Sequence, residues 1–419
     1  MNLYGEILDK PQLRFNYSST YAVHNLPKKG LINFGPYDSG QFNKECIKSI
    51  ILYSEGTNEA KNILKKGLTQ GEGKYKGFQE LFKISLRCED EAEFETNRIE
   101  RTLEEVVRKD VDIIFILIKA GGKTRSYIDI YKTVKKILLG NGIPSQVVIS
   151  QKINRPQGRE WMLENIALAT YAKTGGTPWV VANPLQENQL ILGVSRAKDI
   201  SDYLVGFVTL FTQDGDFILM HSKAPVIRWE EYIKGLNSLI IDAVEEYMKL
   251  EGEPNSIIIH FHKRPGKQEI NAIENALRNL GKDIPYALIH INEYSNFRLF
   301  DTSHPGYVPL KGLKVNLSRH EALLLTDGRL DGSRQRMGVP RVLDIVMDKR
   351  STLSVEMFPH LVKQIYDFAH VNWRGFNASA IPITLNYSKL IARMIIKIGA
   401  ESWNQIIASG KLRDKAWFL

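Results

Sequence analysis

The polar and apolar positions of this chain change rhythm twice. From about Gln41, apolar runs of strand length alternate with segments of helical spacing: SIILYS, the Lys-rich NEAKNILKKGL, LFKISLR, the acidic EAEFETNRIERTLEEVVRK, DIIFILIKA, YIDIYKTVKKILL and SQVVIS. Such alternation predicts a parallel, doubly wound α/β sheet, with ligands outside the carboxyl ends of the strands. After Pro178 and Trp179 the pattern becomes a run of strands, WVVAN, LILGVS, YLVGFVTLF and FILMH, with turns at 186–188 and 213–215. A long amphipathic helix over 229–250 follows, then the strand SIIIHFH, a helix in KQEINAIENALRNL, the strand YALIHIN, shorter strands around VNLS and ALLLT, and two C-terminal helices. Residues 1–36 hold too few apolar positions for a core and are expected to drape over another domain.

Length and composition narrow the class. At 419 residues the chain is long for one core and suits two or three domains. With 43% hydrophobic and 25% charged residues it reads as globular, which excludes a disordered chain. Lys and Arg exceed Asp and Glu by 56 to 47, and the +9 balance favours an anionic partner such as nucleic acid or an acidic lipid surface. Cys46 and Cys88 have no ligand spacing, so neither a disulfide framework nor a structural zinc site is expected, and a reducing cytosol fits. The apolar runs are of strand length and the N-terminus lacks a signal pattern, so a cytoplasmic protein without membrane insertion is expected.

The polar chemistry concentrates between Tyr127 and Trp179. Tyr131 and Lys135 are four apart in YKTVKKILL and share a helix face; Gln146 follows in IPSQVV, and Lys173 closes the next helix, before Gly175 and Gly176. Two ammonium groups, a phenol and an amide supply many donors and almost no negative charge, as a terminal phosphate requires. On spacing alone the blander reading, a solvated basic helix with a buried glutamine, is favoured. The nearby KAGGKTR has only one of the glycine positions of a nucleotide-binding P-loop and lacks its four-residue spacer, and reads better as a basic lip at the sheet edge.

The pattern Tyr, three residues, Lys, then Gln, then Lys-x-Gly-Gly-x-Pro-Trp resembles the MID domain of Argonaute proteins. There these positions, here Tyr131, Lys135, Gln146 and Lys173, bind the 5′-phosphate of a guide strand. The likeness continues through HFHKRPG, VNWRGF and the closing WFL, and covers roughly 37–419. It implies a Rossmann-like MID domain over 37–177 and an RNase H-like PIWI domain over 178–419, with which the run of strands is compatible. No residues remain for the N-terminal and PAZ domains of long members, so the chain looks like a short prokaryotic Argonaute.

Slicing members hold two cations with carboxylates. Here the resemblance places Ser195, His262 and Lys389 at those positions, and none is a carboxylate, so cleavage is not expected. Asp199 and Asp202 lie beyond the first strand and read as loop or capping residues. The run His260, His262, Lys263, Arg264, together with Arg374, is assigned to the nucleic-acid backbone. A metal site at His260 and His262 lacks a third ligand. Trp373 and Phe376 read as packing residues. The resemblance also implies that the carboxylate of Leu419 folds back and, with Gln146, holds a magnesium ion against guide phosphates.

The expected function is guide-dependent recognition of a complementary target in prokaryotic defence, with an RNA guide and a DNA target favoured. An APAZ-containing partner protein is implied, and homo-oligomerisation is left open. The competing readings are a divergent nuclease and a general single-strand binder without dependence on a 5′-phosphate.

Overall fold

The computed structural model describes residues 4–119, 125–198, 201–262, 264–330 and 338–419, the side chains of Arg125 and Ser126 excepted. It divides into two compact units. One comprises Leu13–Trp179, Trp373–Phe376 and Met394–Leu419; the other comprises Met1–Gln12, Val180–Asn372 and Asn377–Arg393.

In the first unit, strands β1 (Cys46–Ser54), β2 (Ser85–Phe94), β3 (Ile113–Ile118) and β4 (Ser145–Ile149) form an all-parallel sheet in the order β2-β1-β3-β4. Every residue of β3 is apolar and buried, as a strand covered on both faces requires. Its longer helices before the terminal segment include α1 (Asn58–Gln70), α2 (Ile99–Val106), α3 (Arg125–Gly140) and α4 (Arg159–Lys173). Ile130, Val134 and Leu138 recur every fourth residue of α3 and pack into the sheet core. One predicted element shifts: LFKISLR begins in a helical turn, Phe78–Phe82, closed by left-handed Lys83, and its last three residues open β2, which runs on into the acidic segment. At the sheet edge the carboxylates of β2 keep their contact with water, so ten residues stay extended and only Ile99–Val106 is helical.

Helix α4 stops where the sequence indicates. Gly175 takes φ +103°, open to glycine, and the Gly176 amide donates back to the Tyr171 carbonyl at 3.0 Å. The terminal segment belongs here as well. Helix Ala400–Ser409 packs against α3, and Trp403, Trp417 and Phe418 are buried. Trp373 donates its indole N–H to the Trp179 carbonyl at 3.0 Å, and Phe376 stacks on Trp179 with centroids 6.0 Å apart. Residues 373–376 and 394–419, grouped by sequence with 178–419, thus pack with 13–179 because their aromatic side chains complete that core. The N-terminal segment divides too, Phe15 and Leu31 being buried in this unit.

The second unit is built on a nine-stranded sheet. Its strands are the short Gly5–Ile7, β5 (Gln189–Lys198), β6 (Leu204–Phe211), β7 (Phe217–Ser222), β8 (Ser256–His262), β9 (Tyr286–Asn292), β10 (Leu313–Ser318), β11 (Glu321–Leu324) and β12 (Leu343–Met347). From the Gly5–Ile7 edge the order is β10-β11-β12-β9-β8-β5-β6-β7. The meander β5-β6-β7 is antiparallel, whereas β8 and β9 add in parallel after helices α5 (Trp229–Glu251) and α6 (Lys267–Asn279). That is the RNase H-like arrangement. Helix α7 (Ile383–Ile398) starts over the centre of this sheet, where Gly193 of β5 admits it. A Cβ on Gly193 would come within 2.7 Å of the Thr384 carbonyl oxygen.

Candidate functional site

In the first unit, α3, β4 and the end of α4 bring the four predicted side chains together. Lys135 Nζ lies 5.7 Å from the Tyr131 ring centroid, one helical turn away. It donates to the Ser145 carbonyl at 2.8 Å; Lys173 Nζ donates to the same oxygen at 3.1 Å and to Gln146 Oε1 at 2.6 Å. One backbone oxygen thus gathers two ammonium groups. Both lysines are buried, so the blander picture of a solvated basic helix does not describe them.

Burial is the main cause of a low pKa at both. Lys135 is brought down to about 7, with the Lys397 charge adding, and Lys173 lies well below the ordinary lysine value, with Lys135 and Arg374 adding. Burial also pushes the Tyr131 phenol up to about 12. Clustered ammonium groups out of water cost free energy until an anion joins them, and their remaining N–H donors suit a phosphate.

Three contributors were missed by sequence reasoning. Lys397 stands 4.6 Å over the Tyr131 ring, yet it is far away in the chain and no local signal marks it. Trp161 and Asn165, one turn apart on α4, line a 420 Å³ cavity together with Gln146, Arg374 and Leu419. A helical spacing could have suggested that pair. The cavity bears on the magnesium expected here. Leu419 and Gln146 both face it, and an amide oxygen is a hard donor of the kind magnesium accepts. Lys173 already holds Gln146 Oε1, so only a further lone pair of that oxygen is left for a metal. Among the residues of KAGGKTR, 120–124 lie outside the described residues.

In the second unit Ser195 and His262 line a 240 Å³ cavity with Arg196 and Arg264. His262 Nε2 lies 2.7 Å from Glu293 Oε1, and Lys389 Nζ contacts the same oxygen. The three positions are therefore close, and the carboxylate beside them is Glu293, just past β9, which sequence reasoning did not single out. Burial alone would raise its pKa, but the hydrogen bonds from His262 and Lys389 hold the carboxyl down to about 2. Arg196 pairs with the buried Glu269 and stacks on Trp229, 5.0 Å from the ring centroid. Glu269 also accepts the Gly266 amide at 2.9 Å and so fixes the turn after Arg264.

His260 needs correction. It is fully buried on β8 beside Gly193, with Nδ1 3.0 Å from Thr384 Oγ1, and burial depresses its pKa to about 3. It is a neutral core residue and cannot touch a nucleic-acid backbone. His262, two residues on, reaches the cavity because the strand ends there. Lys263 and Asp199 lie outside the described residues. Asp202 pairs with Lys198 at 2.7 Å, an ordinary loop contact. Arg374 is exposed at the first unit's cavity, whereas Trp373 is packed inside.

Known proteins resolve the family. A model of the Piwi domain matches residues 113–398, more than half of the chain. The chain belongs to the Piwi family. It is 25% identical over 415 residues to a Piwi protein of Archaeoglobus fulgidus, with 93% of each chain covered. It is 23% identical to the protein argonaute of Cereibacter sphaeroides, covering 93% of this chain but 56% of that one. Clostridium butyricum Argonaute bound to a guide DNA and a 19-mer target DNA has a TM-score of 0.76 at 18% identity, covering 95% of this chain and 53% of that chain. Aquifex aeolicus Argonaute gives 0.64 at 19% identity, with 94% and 54% covered. These structures share the fold. The Piwi-family chain spans about half the length of the longer relatives, and nearly all of the Archaeoglobus protein. Among the described residues no helix is long and apolar enough to cross a membrane.

Proposed function

We propose that this Piwi-family chain holds a guide strand by its 5′-phosphate and pairs it with a complementary target that it does not cut. The observation that carries the reading is the meeting of Lys135 and Lys173 on the Ser145 carbonyl beside Gln146, a buried cationic group that an anion would complete. Tyr131 and Lys397 form its outer wall. Arg374 in one unit, and Arg264 and His262 in the other, are assigned to backbone phosphates. Pairing supplies sequence specificity while protein groups hold the strand. A magnesium ion on Leu419 and Gln146 would screen guide phosphates from the terminal carboxylate. An RNA guide, a DNA target, an APAZ-containing partner and a role in defence follow from the resemblance to short prokaryotic Argonautes. Absence of cleavage rests on Ser195, His262 and Lys389, which supply no carboxylate.

The test compares strands with a 5′-phosphate and a 5′-hydroxyl. Charge-assisted hydrogen bonds contribute about 1.5–3 kcal/mol each, so the phosphate should improve affinity at least tenfold, and Lys135→Ala or Lys173→Ala should erase most of that. Equal affinities would overturn the pocket. With a labelled target, magnesium or manganese should leave the strand intact; guide-directed cutting would instead establish the divergent nuclease. Chelation at constant ionic strength, or a C-terminal extension, should weaken guide binding if the Leu419 carboxylate shares an ion.

A further inference from the structure

The RNase H-like centre of the family implies two divalent cations, and the residues at its three positions do not fit them. Ser195 offers one hydroxyl, His262 has its Nε2 against Glu293, and an ammonium at Lys389 has donors only. In their place stands one carboxylate oxygen, Glu293 Oε1, shared by His262 Nε2 and Lys389 Nζ.

The position of Lys389 is fixed from two sides. The start of α7 lies directly on β5, since a Cβ at Gly193 would meet Thr384 O at 2.7 Å and Ser388 Oγ at 3.2 Å. The Tyr294 ring stands 5.7 Å from the Lys389 ammonium and meets His262 edge-on at 6.0 Å. The Lys389 side chain is 22% exposed and that of Glu293 13%, so this is not a wandering surface charge.

We propose that Lys389 is the resident cation beside His262: its ammonium occupies the Glu293 carboxylate that, with His262 and water as the remaining ligands, would otherwise offer two donors to a divalent metal, and so disfavours a metal there. Imidazole and carboxylate side by side are donors that zinc-class ions accept. A tethered ammonium cannot coordinate and repels a second cation from the same oxygen. It also neutralises Glu293 behind His262, while Glu269, the carboxylate that lines the cavity with Ser195, His262 and Arg264, is already paired with Arg196, which suits the cavity to an anion rather than a cation.

Cobalt(II), whose visible absorption bands report its ligands, tests this on the full chain. Lys389→Met keeps the apolar stem and removes the charge; Lys389→Ala removes both. Each is expected to bind cobalt at least tenfold more tightly than the unchanged protein, and adding Glu293→Gln should abolish the gain, which separates this site from ions bound elsewhere. Lys389→Arg retains a cation and should bind no better than the unchanged protein. The proposal is overturned if the unchanged protein or Lys389→Arg already binds cobalt in a Glu293-dependent way, or if both uncharged variants fold, by thermal melting, and gain nothing. Should the uncharged variants fail to fold, the unchanged protein and Lys389→Arg alone decide. The phosphate-end comparison reads the other unit, so either reading can fail alone.

Discussion

At the scale of residues, two buried lysines set how the first unit responds to pH. The folded-state pKa of Lys135 is about 7 against 10.5 for an ordinary lysine, so between those values the unfolded chain holds the proton that the folded chain has released. Stability therefore rises with pH across that window, Lys135 contributing at most about 1.4 kcal/mol per unit and nothing below its folded value, where both states hold its proton, and Lys173, also depressed, adding in the same direction. Urea melts of unliganded protein from pH 7 to 9 should show the rise, and Lys135→Met should remove its share. Binding runs the other way. A 5′-phosphate is mostly a dianion above about pH 6 and requires the ammonium, so guide affinity should fall from pH 7 to 9 with proton uptake. Calorimetric heats that depend on the buffer's ionisation enthalpy would verify it; equal heats in all buffers would not. Spacing put Tyr131 and Lys135 on one helix face and the family resemblance added Lys173 to the same ligand, but neither showed that both lysines are buried.

At the scale of elements, the second unit depends on how closely α7 approaches β5. Gly193→Ala places a Cβ 2.5 Å from Thr209 Oγ1 and 2.7 Å from the Thr384 carbonyl oxygen, and backbone must yield. A cost of about 1–3 kcal/mol is expected in denaturant melts. The control is Gly140→Ala at the end of α3, where nothing lies within 4 Å and the change should be neutral or stabilising by up to about 1 kcal/mol. The same approach explains His260. Strand alternation puts His260 and His262 on one face, yet β8 pairs with β5 so that His260 sits beside Gly193 under Thr384, and His262 lies past the cover. Periodicity reports the face of a side chain and not its depth.

At the scale of the whole molecule, a net charge of +9 is spread over two units that each carry a cavity. Backbone contacts release counterions, so affinity for any strand should fall at least about tenfold between roughly 50 and 200 mM salt. The ratio between phosphorylated and hydroxyl ends is set by buried groups, which salt screens less, and should hold within about threefold. Filter binding at several salt concentrations reads both; a ratio falling in parallel with affinity would place the discrimination at the surface. The sequence by itself determined the strand and helix alternation of 41–177 and the meander after 189, because periodicity is local, and its resemblance to Argonaute MID domains marked the Tyr131, Lys135, Gln146, Lys173 set. Tertiary structure alone decided that 373–376 and 394–419 complete the first unit, that Lys397 joins the Tyr131 wall, and that Glu293 lies between His262 and Lys389. Those groups are brought together by buried area and charge acting between residues from 31 to more than 190 positions apart, and the order of the chain carries no record of their nearness in space.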